Sequence, residues 1–192
     1  MTLSPEFEGF YSSWIHKATF SKGDDLRGLF DKFFTFFVIY NRLYAEATFV
    51  LGRKGEIDLS KRTSFPDGEA AKTYVLKYLG SSCLMDRIAA SSEATSAIET
   101  MRGLLKDGVF HIKLNMVTGD PQPAKDAALL KDLESRSTNA RAKAILDLLY
   151  SIRCNMFHGH KGFHQVQIKL LLPVVILLRV VIETLHAKLQ HE

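Results

Sequence analysis

Between Tyr150 and Gly162 the chain reads YSIRCNMFHGHKG, in which Arg153 is followed, after four intervening residues, by His158 and then by Gly159, where a helix would stop. A guanidinium is permanently charged and offers a fork of donors to phosphoryl oxygens, while an imidazole with an unperturbed pKa of ~6.5 takes or gives a proton near neutrality. Set beside a helix end, the two are the minimum equipment for cutting RNA without a metal. Spacing alone is a weak signal. Ten arginines and seven histidines in 192 residues give about one arginine-to-histidine match with four to six intervening residues by chance. The chain contains three, the others being Arg153 with His160 and Arg179 with His186.

Context separates the first match from the rest. From Leu148 to Ile182 there is no Asp or Glu, although the chain carries 21 acids, and the same span holds Arg153, Lys161, Lys169, Arg179, His158, His160 and His164. Such a segment attracts phosphate and favours protonated histidine, provided that no acid from elsewhere in the fold faces it. Burial of an apolar segment explains the same depletion equally well.

The elements that must position these residues read as helices. Leu26, Phe30, Phe33, Phe37, Tyr40 and Tyr44 recur at spacings of three and four, widened by Leu29, Phe36 and Leu43, which predicts a long amphipathic helix over 24–51. A basic loop containing Arg53, Lys54, Lys61 and Arg62 follows, then a shorter helix from about Gly68 to Leu79. Residues 84–106 read as one helix through Ile88, Ile98, Met101, Leu104 and Leu105, with Gly108 near its end. VTGDPQP, 117–123, is a loop, and 124–134 a short helix. Thr138 or Asn139 caps the next helix, whose stripe is Ile145, Leu149, Ile152 and Met156, with Arg153 on its shoulder. On a continuous helix of ~3.6 residues per turn, Arg153 and His158 point about 140° apart. Either the helix distorts near Gly159, or the site is assembled from two chains.

Length and composition bound the rest. The chain can bury a full core as a single domain, 1–192, with residues 1–23, including Trp14, packing on the bundle, and 46% apolar residues mark it as globular. A net charge of +4 and a pI near 9.0 suit a polyanionic partner without requiring one. Cys83 and Cys154 lack zinc-type spacing, and Glu6 and Glu8 precede any apolar run of a leader, so a cytoplasmic setting is expected. The run from Ile168 to Ile182 is broken by Lys169, Pro173 and Arg179 and falls short of a bilayer span, so no membrane partner is expected. Its apolar residues cover nearly every face, which calls either for a partner subunit or for a central place in the core.

The phrase LYSIRCNMFHGHK, with Asn155 near the arginine, Phe157 before the histidine, Gly159 after it and Lys161 close behind, resembles the Arg-x(4–6)-His motif of the HEPN superfamily, and its Apea-like branch in particular. FVIYNRLYAEA in the first long helix is similar to an aromatic-rich segment of the same proteins and puts Asn41 and Tyr44 in the matching positions. Cys154 stands immediately after the arginine, where many members carry a polar residue. The resemblance implies an all-α, up-and-down helical bundle of the HEPN type, acting as a homodimer on RNA. It further implies a metal-independent endoribonuclease with no cofactor, in which the 2′-hydroxyl attacks its own phosphate and leaves a 2′,3′-cyclic end. Arg153 and His158 would be catalytic, and Asn155, Lys161, His160, Asn41 and Tyr44 supporting or RNA-positioning. A defence or toxin–antitoxin setting, with a cognate antitoxin or regulatory protein, is implied as well. Two other classes stand beside this one. A dimeric RNA-binding module without activity fits the same residues. A metal site at Cys154, His158, His160 and His164 fits the ligand types but lacks the nearby carboxylates that orient such ligands.

Overall fold

The structure is a computed structural model that describes residues 3–20, 23, 25–108, 110–157 and 164–192. Helices account for nearly all regular structure among them, in the order α1 (Pro5–Phe20), α2 (Leu26–Arg53), α3 (Asp67–Glu69), α4 (Val75–Leu79), α5 (Ser81–Ala89), α6 (Ser92–Lys106), α7 (Pro123–Leu133), α8 (Thr138–Phe157) and α9 (Ile168–Gln190). A π-helical turn, Ala70–Tyr74, joins α3 to α4, and the short turn Gln165–Gln167 leads into α9. The one pairing of extended backbone among the described residues is an isolated bridge between Leu114 and Pro121.

Local chemistry explains the ends of the long helix. Asp25 Oδ1 accepts from the Gly28 amide at 2.8 Å, satisfying a donor that the first turn leaves over. At the other end Gly55 takes φ +70°, and the amides of Gly55 and Glu56 reach back to the carbonyls of Gly52 and Leu51. This pair of bonds closes the helix, and it needs a left-handed residue at Gly55. Between these ends the stripe predicted from spacing turns inward, with Phe33, Phe36, Phe37, Tyr40, Leu43 and Tyr44 buried.

Two local expectations need correction. The helix read over 84–106 is two helices, because Ser91 leaves helical geometry at φ −109°, ψ 112° and its side chain accepts from the Ala94 amide. A serine with a free oxygen three residues before an amide competes with helix continuation and starts a new helix instead. The cap of α8 is Ser137, whose Oγ accepts from the Ala140 amide at 3.3 Å, and not Thr138 or Asn139, which lie inside the helix.

The strongly apolar α9 takes the centre of the bundle. It packs on α2 and α6, and further on α4 and α5. Leu170, Leu171, Val174, Leu177, Leu178, Val181, Ile182 and Leu185 are all buried within this one chain. Of its apolar residues, Leu172 remains exposed while Ile176 and Val180 are half-buried. The cover that a partner subunit was invoked to supply therefore comes largely from the chain itself, and the all-round apolar pattern gives no reason for a dimer. No described helix is long and apolar enough to cross a membrane.

Candidate functional site

Arg153 lies near the end of α8, beside two elements that arrive from elsewhere in the sequence, α3 and α2. Asp67, the first residue of α3, presents its carboxylate 3.8 Å from Arg153 Nη1. Tyr150, one turn before the arginine on α8, donates its hydroxyl to Asp67 Oδ2 at 3.0 Å, and Tyr44 of α2 donates to Oδ1 of the same carboxylate. Both tyrosines have pKa values raised far above the ordinary phenol, by burial first and then by Asp67. They remain hydroxyl donors at any physiological pH, and Asp67 is held from both sides as an acceptor.

Packing brings these groups together. Tyr40 donates to the Ala71 carbonyl at 2.5 Å within the π turn, which ties the segment that follows Asp67 to α2. Gly68 passes so close to α8 that a Cβ there would stand 3.2 Å from the Tyr150 hydroxyl oxygen. Around the charged centre the rings are partly open to solvent. Phe157 lies 4.7 Å from the Arg153 guanidinium carbon and meets Phe34 edge-on, while Phe65 stacks on Tyr44. Phe157 and Phe65 are 49% and 39% exposed, so part of each side chain is open to solvent.

The bonding of Arg153 is incomplete. Its side chain is 20% exposed, its Nε is buried without a partner, and the Asp67 carboxylate stands 3.8 Å away. Burial alone would disfavour its charge, but the Cys154 thiol and the Asp67 carboxylate outweigh burial and push its pKa up. The ring of Tyr150 is flanked by two cations, Arg153 at 5.7 Å and Lys72 at 5.4 Å. Such contacts favour the charge but use none of the five guanidinium donors.

The expectation of an acid-free field around Arg153 held only for the chain between Leu148 and Ile182. Asp67 comes from outside that span and sits against the arginine, because the π-helical turn that follows α3 packs on α8. One turn further back Asp147 is held between Lys113 at 2.5 Å and Lys72 at 3.3 Å. Burial would raise its pKa, but the two ammonium groups win and hold it below the ordinary carboxylate value.

The other sequence-picked residues fall into distinct places. Asn155 is buried, and its amide donates to the Ile112 carbonyl at 2.8 Å, so it anchors the extended segment 110–113 and does not face solvent. Asp126 holds the same segment through the amides of Ile112 and Lys113. Asn41 lies on the face of α2 between Phe34 and Tyr44, and its Oδ1 is buried without a partner. His158, His160 and Lys161 fall outside the described residues. His164 is exposed, and Cys154 is half-buried on α8. Among the described residues no three histidine, cysteine or carboxylate side chains form a group suited to a metal ion. Asp67, Tyr150 and Phe65 had no sequence signal of their own, since nothing local announces a contact between residues 83 apart.

Wider grooves exist on other faces. One of about 570 Å³ lies between α1, α2 and α9, and one of about 840 Å³ between α6 and α9. Neither includes any residue of the Arg153 cluster.

Fold and site together define an all-helical bundle with an under-bonded, half-buried arginine at a helix end. No family model matches the chain, and no curated protein or solved structure shows significant similarity to it.

Proposed function

We propose that the chain is an RNA-cleaving domain of the HEPN kind, in which Arg153 receives the scissile phosphate. The observation that carries this reading is the setting of Arg153: a fixed positive charge, largely withdrawn from water among ring faces, whose nearest carboxylate stands at 3.8 Å, just beyond hydrogen-bond length. Desolvated donors without acceptors cost free energy unless a ligand supplies the acceptors. A phosphate does so in a forked geometry that suits guanidinium. Exposed Phe157 and Phe65 add faces on which bases can stack, and such stacking tolerates any base.

In this reading RNA provides the nucleophile. The 2′-oxygen bonds to phosphorus, the bond to the 5′-oxygen breaks, and a 2′,3′-cyclic phosphate remains. Arg153 binds the non-bridging oxygens and strengthens its hold as charge builds in the transition state. His158, five residues further along, is assigned the proton for the leaving oxygen. The test is incubation of the purified protein with RNAs of varied sequence in chelator, beside Arg153→Ala. Cleavage with cyclic ends by the wild type alone is expected. Activity that disappears in chelator and returns with a divalent ion overturns the mechanism.

Binding without cleavage is a second reading, since the same cation and exposed rings would hold RNA whether or not a proton is moved. The dimer remains a proposal that rests on the resemblance and on the ~140° between Arg153 and His158 on a continuous helix, now that α9 is covered from within.

A further inference from the structure

Asp67 is the group in this site that a phosphate alone does not explain. A carboxylate 3.8 Å from the phosphate-binding cation repels a bare anion, yet two tyrosine hydroxyls hold it in place and its side chain is 43% exposed. We propose that Asp67 is the acceptor for the ribose 2′-hydroxyl, so that it selects RNA over DNA and takes the proton of the attacking oxygen. This rests on the reading of Arg153 as the phosphate seat and goes beyond it, by assigning the proton acceptor to a residue outside the arginine–histidine motif.

The geometry suits that ligand. A phosphate oxygen on Arg153 at ~2.8 Å and a hydroxyl on Asp67 at ~2.7 Å would stand side by side, given the spacing of the two protein groups. In RNA the 2′-hydroxyl and the 3′-phosphate sit on adjacent ribose carbons. The reaction brings the same oxygen to within ~3–3.5 Å of phosphorus before attack. Tyr44 and Tyr150 each take one lone pair of the carboxylate and leave others for a third donor. Neither tyrosine can rotate its hydroxyl away without losing a half-buried bond, so the acceptor is fixed before substrate arrives. A deoxyribose brings a phosphate but no donor, and the carboxylate then opposes binding.

The step balances. The proton of the 2′-hydroxyl passes to a carboxylate oxygen of Asp67, the bond from the 2′-oxygen to phosphorus forms, and the bond from phosphorus to the 5′-oxygen breaks. The 5′-oxygen takes a proton from water, and Asp67 returns its proton to solvent. One chain thereby supplies an acceptor of its own, with no second motif needed for that role.

The test uses the full chain in chelator with RNA and DNA oligonucleotides of one sequence, with deoxyuridine in place of thymidine. Affinity and cleavage rate are measured for the wild type, Asp67→Asn, Asp67→Ala, Tyr44→Phe and Arg153→Ala, each checked for folding by its thermal transition. The wild type is expected to bind RNA about ten-fold or more tighter than DNA, as a hydrogen bond to a charged group supplies. Asp67→Ala should erase that preference while holding DNA at least as well. Asp67→Asn keeps an acceptor but not a base, so cleavage should fall ~100-fold or more with RNA affinity nearly kept. Tyr44→Phe, which keeps the ring, should give a smaller loss of rate. If Asp67→Ala retains the wild-type RNA preference, or Asp67→Asn the wild-type rate, the inference is overturned. Failure of the underlying reading looks different: Arg153→Ala would then bind RNA and DNA as the wild type does. If the wild type binds but does not cleave, the RNA-to-DNA ratio of Asp67→Ala still decides the assignment of the 2′-hydroxyl contact and the proton-acceptor role falls.

Discussion

Two arginine-to-histidine matches in this chain end in opposite circumstances. Arg179 lies on the exposed side of α9, where its Nε donates to Glu183 at 2.7 Å one turn away. His186, on the same helix, is buried, stacks on Tyr11 with ring centroids 3.4 Å apart, and bonds Glu8 at 3.1 Å. Arg179 and His186 thus each have a carboxylate partner within hydrogen-bond distance. Arg153 has the reverse arrangement. Its contacts are ring faces, the Cys154 thiol and a carboxylate at 3.8 Å, and its Nε has no acceptor. The same loose pattern thus describes one set of residues that closes a core and another that leaves donors unused. The lesson is that a motif gains meaning from the state of its hydrogen bonds, because only unmet donors gain free energy from a ligand.

The largest effect should come from exchanging the two arginines for alanine. Arg153→Ala is expected to lower RNA cleavage ~100- to 1000-fold, the range for removing a transition-state donor, while the fold persists. Arg179→Ala should leave cleavage unchanged and cost no more than ~1 kcal/mol of stability, as for other exposed ion pairs. Equal losses of rate in the two variants would erase the distinction. Rates on one RNA and urea unfolding of each variant make the measurement.

His186→Ala should show the complementary behaviour. Loss of a stacked, buried ring and its bond to Glu8 is expected to cost roughly 1–3 kcal/mol in urea unfolding, with the rate per folded molecule intact. A drop in rate larger than the drop in folded fraction would assign His186 to the chemistry.

Asp147 tests whether the basic surroundings of α8 are structural. Its folded pKa lies below the ordinary 3.8, so its contribution to stability is present above that pH and is lost as the pH falls through the depressed value. Asp147→Asn should therefore be less stable near neutrality by about 1 kcal/mol, a value reduced for partial exposure, and should lose stability less steeply in acid. Parallel acid limbs for the two proteins would remove Asp147 from that role.

The smallest effect is expected at Gly68. An added Cβ would press on the Tyr150 ring and hydroxyl at 3.2–3.3 Å, so Gly68→Ala should change stability by under ~1 kcal/mol. Cleavage should fall a few-fold as the Tyr150 bond to Asp67 is displaced. Tyr150→Phe, which removes the hydroxyl without the push, is the control, and unchanged rates in both variants would show that the bond does not help to hold Asp67 for reaction.

The sequence by itself determined what depends on neighbours along the chain. Spacings of three and four set the buried faces of α2 and α8, through helical geometry that repeats within a few residues. It also singled out Arg153 and Tyr44, although it gave them no common partner. Local reading failed where two local options compete, as at Ser91, which stops one helix and caps the next, and at Ser137, which caps α8 just outside the residues expected. What only the tertiary structure decided was which groups meet. The apolar faces of α9 were legible, but whether another subunit or the chain itself covers them depends on where α2 and α6 lie. The acid-free stretch around Arg153 was legible too, yet Asp67 enters it from 83 residues before Tyr150, to which it bonds, carried there by the packing of the π-helical turn on α8. Helical periodicity is a property of adjacent residues, whereas the electrostatics of a site is a sum over everything the fold brings near, and no spacing in the chain records that sum.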